Sequence, residues 1–126
     1  MARILVLDDD KPFLDTLVEM LALHGHEVHS ALNGRLSLDL ISEKKIELMI
    51  TDLVMPEQEG LQTILEARKF HPELKIIAMS GGGRRVPVDF LEIARKIGAD
   101  HALNKPFSTE ELNAAVNKVM GNGKKS

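Results

Sequence analysis

Ile4-Leu5-Val6-Leu7-Asp8-Asp9-Asp10 is an uninterrupted apolar run that stops at three consecutive acids. A continuous apolar run, as opposed to an alternating one, marks a strand covered on both faces, as in a parallel sheet. Outward from this segment the same unit recurs. Pro12 fits a first helical turn, and Phe13, Leu14, Leu17, Val18 and Leu21 follow at helical spacing until Gly25. Glu27–Ala31 reads as a weak strand, Asn33-Gly34 as a turn, and Leu36, Leu40 and Ile41 as a helix that ends in Ser42-Glu43-Lys44-Lys45. Glu47–Thr51 is a strand entering Asp52, and a helix beginning at or just after Gly60 carries Leu61, Ile64, Leu65 and Arg68 and is closed by Pro72. Lys75–Met79 is a strand entering Ser80. After the Gly81-Gly82-Gly83-Arg84-Arg85 loop, Leu91, Ala94 and Ile97 mark a helix stopped by Gly98. His101–Leu103 is a short strand before Lys105-Pro106, and Ser108 with Glu111 fits a capping box opening a last helix with Leu112, Ala115, Val116 and Val119.

Five strand–helix pairs imply a parallel sheet with right-handed crossovers. Five units are too few for an eight-stranded barrel, so the expected fold is α/β, a doubly wound five-stranded parallel sheet of flavodoxin-like (βα)5 type in the order 2-1-3-4-5. One domain over residues 1–120 accounts for the 126-residue chain, with 121–126 expected to be a flexible tail or linker stub.

Composition narrows the chemistry. The chain has no cysteine, which excludes disulfides, thiolate metal sites and cysteine nucleophiles. Its net charge of −3 gives no general attraction to nucleic acid or to an anionic membrane. No apolar stretch approaches the roughly 20 residues that span a bilayer, and the run after Met1-Ala2-Arg3 is too short for a signal peptide. A cytoplasmic location is expected, with neither direct nucleic-acid binding nor membrane association.

In a sheet of this order, ligands bind beyond the carboxyl ends of the strands. Those ends carry Asp8 and Asp9, Asp52, Ser80 and Lys105. Adjacent strands lie about 4.8 Å apart, so these residues should share one pocket. Three carboxylates at that distance repel, and protons or a cation must offset them. Oxygen-only donors suit a hard ion, Mg²⁺ before Zn²⁺. A carboxylate can also accept a phosphoryl group, a transfer that needs charge stabilisation more than covalent assistance. Each of these residues by itself could be a helix cap, Asp9 or Asp10 for the first helix in particular. Their convergence from different strands argues for a site.

The set Ile4–Asp10, Asp52-Leu53-Val54-Met55-Pro56 with Gly60, Ser80, Gly98-Ala99-Asp100 and Lys105-Pro106-Phe107 resembles the receiver (CheY-like) domains of bacterial two-component response regulators, from Arg3 to about Met120. The resemblance implies Asp52 as phosphoacceptor, Asp9 as a direct Mg²⁺ ligand, and Asp8 as a carboxylate helping to hold the ion. Asp52 and the carbonyl of Val54 would complete the coordination. Ser80 would be the switch hydroxyl and Lys105 its cationic partner, before a cis peptide to Pro106. The implied role is phosphorelay signalling, with transfer from the phosphohistidine of a sensor histidine kinase or histidine phosphotransfer protein to Asp52. The chain would catalyse only its own phosphorylation and dephosphorylation, with no separate substrate turned over. The alternative is a pseudo-receiver that binds protein partners without phosphorylation. A dehalogenase-superfamily phosphatase is disfavoured because Pro12 stands where its motif needs Thr, and flavodoxin because three acids would repel a flavin phosphate. No output domain is visible, which leaves a single-domain regulator or an excised receiver. Docking on the face of the fourth helix, fifth strand and fifth helix follows from the resemblance alone.

Two departures stand out. Ala102 occupies a position where many receivers carry an aromatic ring that moves with the switch hydroxyl. The loop after Ser80 is longer than usual, and Arg84 and Arg85 read as a solvated pair. His24, His26 and His29 could form a transition-metal site only if they converged across a glycine turn. The methionines at 49, 55 and 79 read as core filler. The resemblance implies that the side chains two residues after the acceptor and after the hydroxyl influence access of water to the phosphoryl group; here they are Val54 and Gly82, which cannot hold an attacking water by hydrogen bond. The phosphorylated chain is therefore expected to lose its phosphoryl group slowly, and a half-life of only seconds in a dephosphorylation time course would contradict this.

Overall fold

The computed structural model describes residues 1–53, 60–81 and 89–121, with the side chains of 89–91 left aside. Five strands alternate with five helices: β1 (Arg3–Leu7), α1 (Lys11–Leu23), β2 (Glu27–Ala31), α2 (Ser37–Glu43), β3 (Leu48–Asp52), α3 (Gly60–Phe70), β4 (Lys75–Ser80), α4 (Asp89–Ile97), β5 (His101–Asn104) and α5 (Thr109–Met120). All pairings are parallel, and the strand order is β2-β1-β3-β4-β5. This is the doubly wound arrangement expected from the sequence. Asp52 and Ser80 turn out to be the last residues of β3 and β4, so the ladder itself holds their backbones.

The alternation of side chains along each strand divides the core in two. On one face Ile4, Val6, Leu48, Ile50, Ile77 and Met79 pack with Leu14, Leu17 and Leu21 of α1 and Leu112, Ala115, Val116 and Val119 of α5. On the other, Leu5, Leu7, Met49, Ile76 and Ala78 pack with Ile41 of α2, Ile64 and Ala67 of α3, and Ala94 of α4. The central strands are apolar on both faces for this reason. Met49 and Met79 are fully buried filler; Met55 lies outside the described residues.

Local chemistry sets the element ends. Asp10 caps α1, its side chain accepting from the Phe13 N–H. Ser108 and Glu111 form the expected capping box on α5, which ends at Gly121 in the left-handed conformation. Arg68, in the last turn of α3, donates to the carbonyls of Pro72, Leu74 and Gly98 and to the Asp100 carboxylate, at 2.7–3.0 Å. Asp100 in turn accepts from the Ile76 N–H at 2.8 Å. This cluster ties the end of α4 to the start of β4 at the pole away from the carboxyl ends of the strands. The loops at 54–59 and 82–88, with Val54, Gly82, Arg84 and Arg85, lie outside the described residues, as does 122–126.

Gly60 opens α3 directly over the end of β3. Its N–H donates to the Leu53 carbonyl at 3.0 Å. A Cβ built on Gly60 would stand 2.0 Å from the Asp52 carbonyl oxygen and 2.6 Å from the Leu53 Cα, both backbone atoms that cannot step aside. Overpacking of this kind costs about 1–3 kcal/mol. Gly60→Ala is expected to lower the unfolding free energy by that amount in urea titration; an unchanged midpoint would show that the β3–α3 junction is not close-packed.

Candidate functional site

Register places the site residues. Leu7 pairs with Thr51 across β1 and β3, so the next residues on each chain, Asp8 and Asp52, stand side by side. Ser80 pairs with Asn104 across β4 and β5, and Lys105 follows directly. The Lys105 Nζ lies 2.6 Å from Asp8 Oδ2 and 3.7 Å from Asp52 Oδ1. Asp8 is completely buried and Asp52 is 4% exposed, so the lysine partners two carboxylates withdrawn from water. The Asp8 Oδ1 accepts from the Asp10 N–H at 2.9 Å, and the Asp52 Oδ1 accepts from the Leu53 N–H at 3.0 Å.

Burial is the main force on Asp52, pushing its carboxyl from 3.8 up to about 6 against the opposing pull of Lys105, with Asp8 and Asp9 raising it further. One ammonium is thus insufficient for three neighbouring carboxylates. Asp8, Asp9 and Asp52 each offer an oxygen within 4.8 Å of the others. This all-oxygen donor set fits a hard divalent cation such as Mg²⁺ in both chemistry and spacing.

The lysine has a further neighbour that the sequence did not reveal. Its Nζ sits 4.3 Å from the centroid of the Phe13 ring, within cation–π range. Phe13 meets Phe107 edge to face at 5.8 Å and 84°. Phe107 follows the Lys105–Pro106 peptide, which is cis as the resemblance implied. Ser80, 5% exposed, donates its hydroxyl proton to Asn104 Oδ1 at 3.2 Å. Asn104 was not singled out from the sequence; the strand register that makes it the partner of Ser80 was the signal that could have found it.

The histidines do not converge. His24 Nδ1 meets the Met20 carbonyl and its Nε2 meets Asn113; His26 accepts from the Ala2 N–H; His29 meets Glu27. Burial, helped by the N-terminal ammonium and His24, holds the His26 imidazole below its ordinary range, which suits the acceptor role. Among the described residues the acidic triad is the one cluster of metal-binding type. The glycine turn keeps the imidazoles in separate local bonds.

A family profile of the response regulator receiver domain matches residues 4–117. The chain belongs to that family. The receiver domain is 35% identical over 119 residues to the DNA-binding transcriptional regulator NtrC of Azospirillum brasilense, covering 94% of this chain but 24% of that protein. A receiver domain protein from Clostridium thermocellum superposes with a TM-score of 0.87 at 30% identity, covering 98% of this chain and 97% of the other. The receiver domain of NtrX from Brucella abortus does so at 0.86 and 27% identity, covering 94% and 98%. This receiver domain is thus a component of two-component signalling. No helix among its described residues is long and apolar enough to cross a membrane.

The raised Asp52 carboxyl has a measurable consequence. Its folded value of about 6 lies above the ordinary 3.8, so between these pH values the folded state binds more protons than the unfolded one. Ionisation of Asp52 therefore subtracts stability as pH rises through this window. In EDTA, Asp52→Asn is expected to match wild type below about pH 4 and to exceed it increasingly as the pH rises toward about 7. Denaturant melts of both proteins across this range check it, and a pH-independent difference would contradict it.

Proposed function

We propose that this receiver domain accepts a phosphoryl group on Asp52 from the phosphohistidine of a sensor histidine kinase or histidine phosphotransfer protein, in a Mg²⁺-dependent reaction. The observation that carries this reading is the Lys105 ammonium bridging Asp8 and Asp52 beside a three-carboxylate cluster. Asp8, Asp9 and Asp52, with the Val54 carbonyl outside the described residues, are the groups assigned to hold the ion. A bound Mg²⁺ would offset their charge and that gathering on the phosphoryl oxygens.

Asp52 attacks as a carboxylate. Its Oδ forms the new bond to phosphorus as the P–N bond to the donor imidazole breaks, and the leaving nitrogen keeps the electron pair. The surrounding apolar core excludes water and strengthens each charge interaction. Phosphorylation adds about −1.5 to −2 charges in place of −1. Lys105 then has a stronger anion beside it than Asp8, and the Ser80 hydroxyl has new acceptor oxygens. The resulting change at the ends of β4 and β5 alters what the domain presents to a downstream protein. The match to a quarter of a DNA-binding regulator's length supports a role as the input module of such a protein.

Incubation with acetyl phosphate, read by intact mass, is expected to add one phosphoryl group in Mg²⁺. None should be added in EDTA or in Asp52→Asn, and Lys105→Ala should slow the gain at least tenfold. Failure of wild type to gain phosphate even from a competent kinase would leave the phosphorylation-independent interaction module as the reading.

A further inference from the structure

In the receiver reading, the Ser80 hydroxyl turns toward a phosphoryl group on Asp52. The resting structure shows what it must first give up. The Ser80 hydroxyl donates to Asn104 Oδ1 at 3.2 Å, and the two residues are direct register partners across β4 and β5. The backbone around them is fixed. The Ser80 carbonyl accepts from the Lys105 N–H at 2.7 Å, and Gly81, at φ +107, packs so closely that a Cβ there would meet the Lys105 carbonyl oxygen at 3.0 Å. With both strand ends tied in this way, a change of partner falls to the serine side chain and not to the backbone.

The partners lie on opposite sides. By strand alternation Ser80 shares the parity of Ile76 and Ala78, in the core facing α2, α3 and α4. Asp52 shares that of Leu48 and Ile50, in the core facing α1 and α5. Ala102, also on the Asn104 parity, offers only a methyl group where a ring would otherwise move with the hydroxyl. The amide of Asn104 is the polar group that takes the hydroxyl here, and its exposure lets water replace the serine when the bond breaks.

We propose that Asn104 is a positioning residue for the switch: its side-chain carbonyl holds the Ser80 hydroxyl in the resting rotamer, and phosphorylation of Asp52 proceeds to the switched state only as this hydrogen bond is exchanged. The bond is a latch against activation. Removing the amide takes away a competitor of the phosphoryl oxygens. Because Asn104 is exposed, its truncation leaves the fold intact.

This inference rests on the proposed role of Asp52, and the experiment separates the two. In unphosphorylated protein, three-bond NMR couplings should report one dominant Ser80 χ1 rotamer in wild type and averaged rotamers in Asn104→Ala. A rotamer already averaged in wild type, or unchanged in the variant, overturns the latch whether or not Asp52 is phosphorylated. In Mg²⁺ and acetyl phosphate, Asn104→Ala should phosphorylate about three- to tenfold faster than wild type, the scale of one hydrogen bond. In a Ser80→Ala background the same truncation should change the rate less than twofold. An equal gain in both backgrounds would show that Asn104 acts by another route. Wild type that takes up no phosphate, yet shows the fixed rotamer and its release in the variant, overturns the role of Asp52 and retains the positioning of Ser80.

Discussion

One ammonium holds the carboxyl pole of this sheet together. Lys105 Nζ stands 2.6 Å from a fully buried Asp8 and 3.7 Å from Asp52, with the Phe13 ring on another side. Without it, two buried carboxylates would face each other across adjacent strands, an arrangement that costs several kcal/mol per uncompensated charge. The requirement reaches far along the chain, since Lys105 and Asp8 are 97 residues apart. β5 must therefore sit at the sheet edge in register for the charged acids on β1 and β3 to be buried together. Compensation is still incomplete, as the raised Asp52 carboxyl shows. The domain is built with a residual demand for positive charge at the carboxyl pole of its sheet.

The rest of the fold serves that demand by rigidity. Apolar packing on both faces of β1 and β3 fixes the strand ends, and Gly60 lets α3 start in contact with the Asp52 carbonyl. Asp10 caps α1 at the end of the acidic run, so Asp8 and Asp9 keep their side chains for the site while the third acid completes the helix. Stability is surrendered at Asp52 and recovered in the two cores, a distribution common to sites that must react.

Much of this was legible from residue order. The apolar runs ending in Asp8, Asp52 and Ser80 identified parallel strands, and the rule that ligands gather at their carboxyl ends anticipated that Asp8 and Asp52 meet Lys105. Strand ends were placed a residue short at Asp52, Ser80 and Asn104, because a polar residue at the end of an apolar run looks like the beginning of a loop. The Phe13–Lys105 contact and the Ser80–Asn104 bond were not legible. Both depend on which face a side chain takes and on cross-strand register, quantities set by packing between distant segments. The histidine triplet suggested a metal site by proximity in sequence, whereas Gly25 and the start of β2 send each ring to a different local partner.

The Arg68 cluster gives α4 the mechanics of a lever. Its guanidinium clamps the Gly98 carbonyl and Asp100 to the turn before β4, which makes the carboxyl end of the nine-residue helix a fulcrum. A tilt of α4 about that point would leave these bonds in place. Over an arm of about 13 Å, at about 1.5 Å per residue, a tilt of about ten degrees carries the far end about 2 Å. That far end is the one reached from Ser80 along the chain. A tilt of that size would be felt at the surface and not in the sheet, in a direction set by the fixed end.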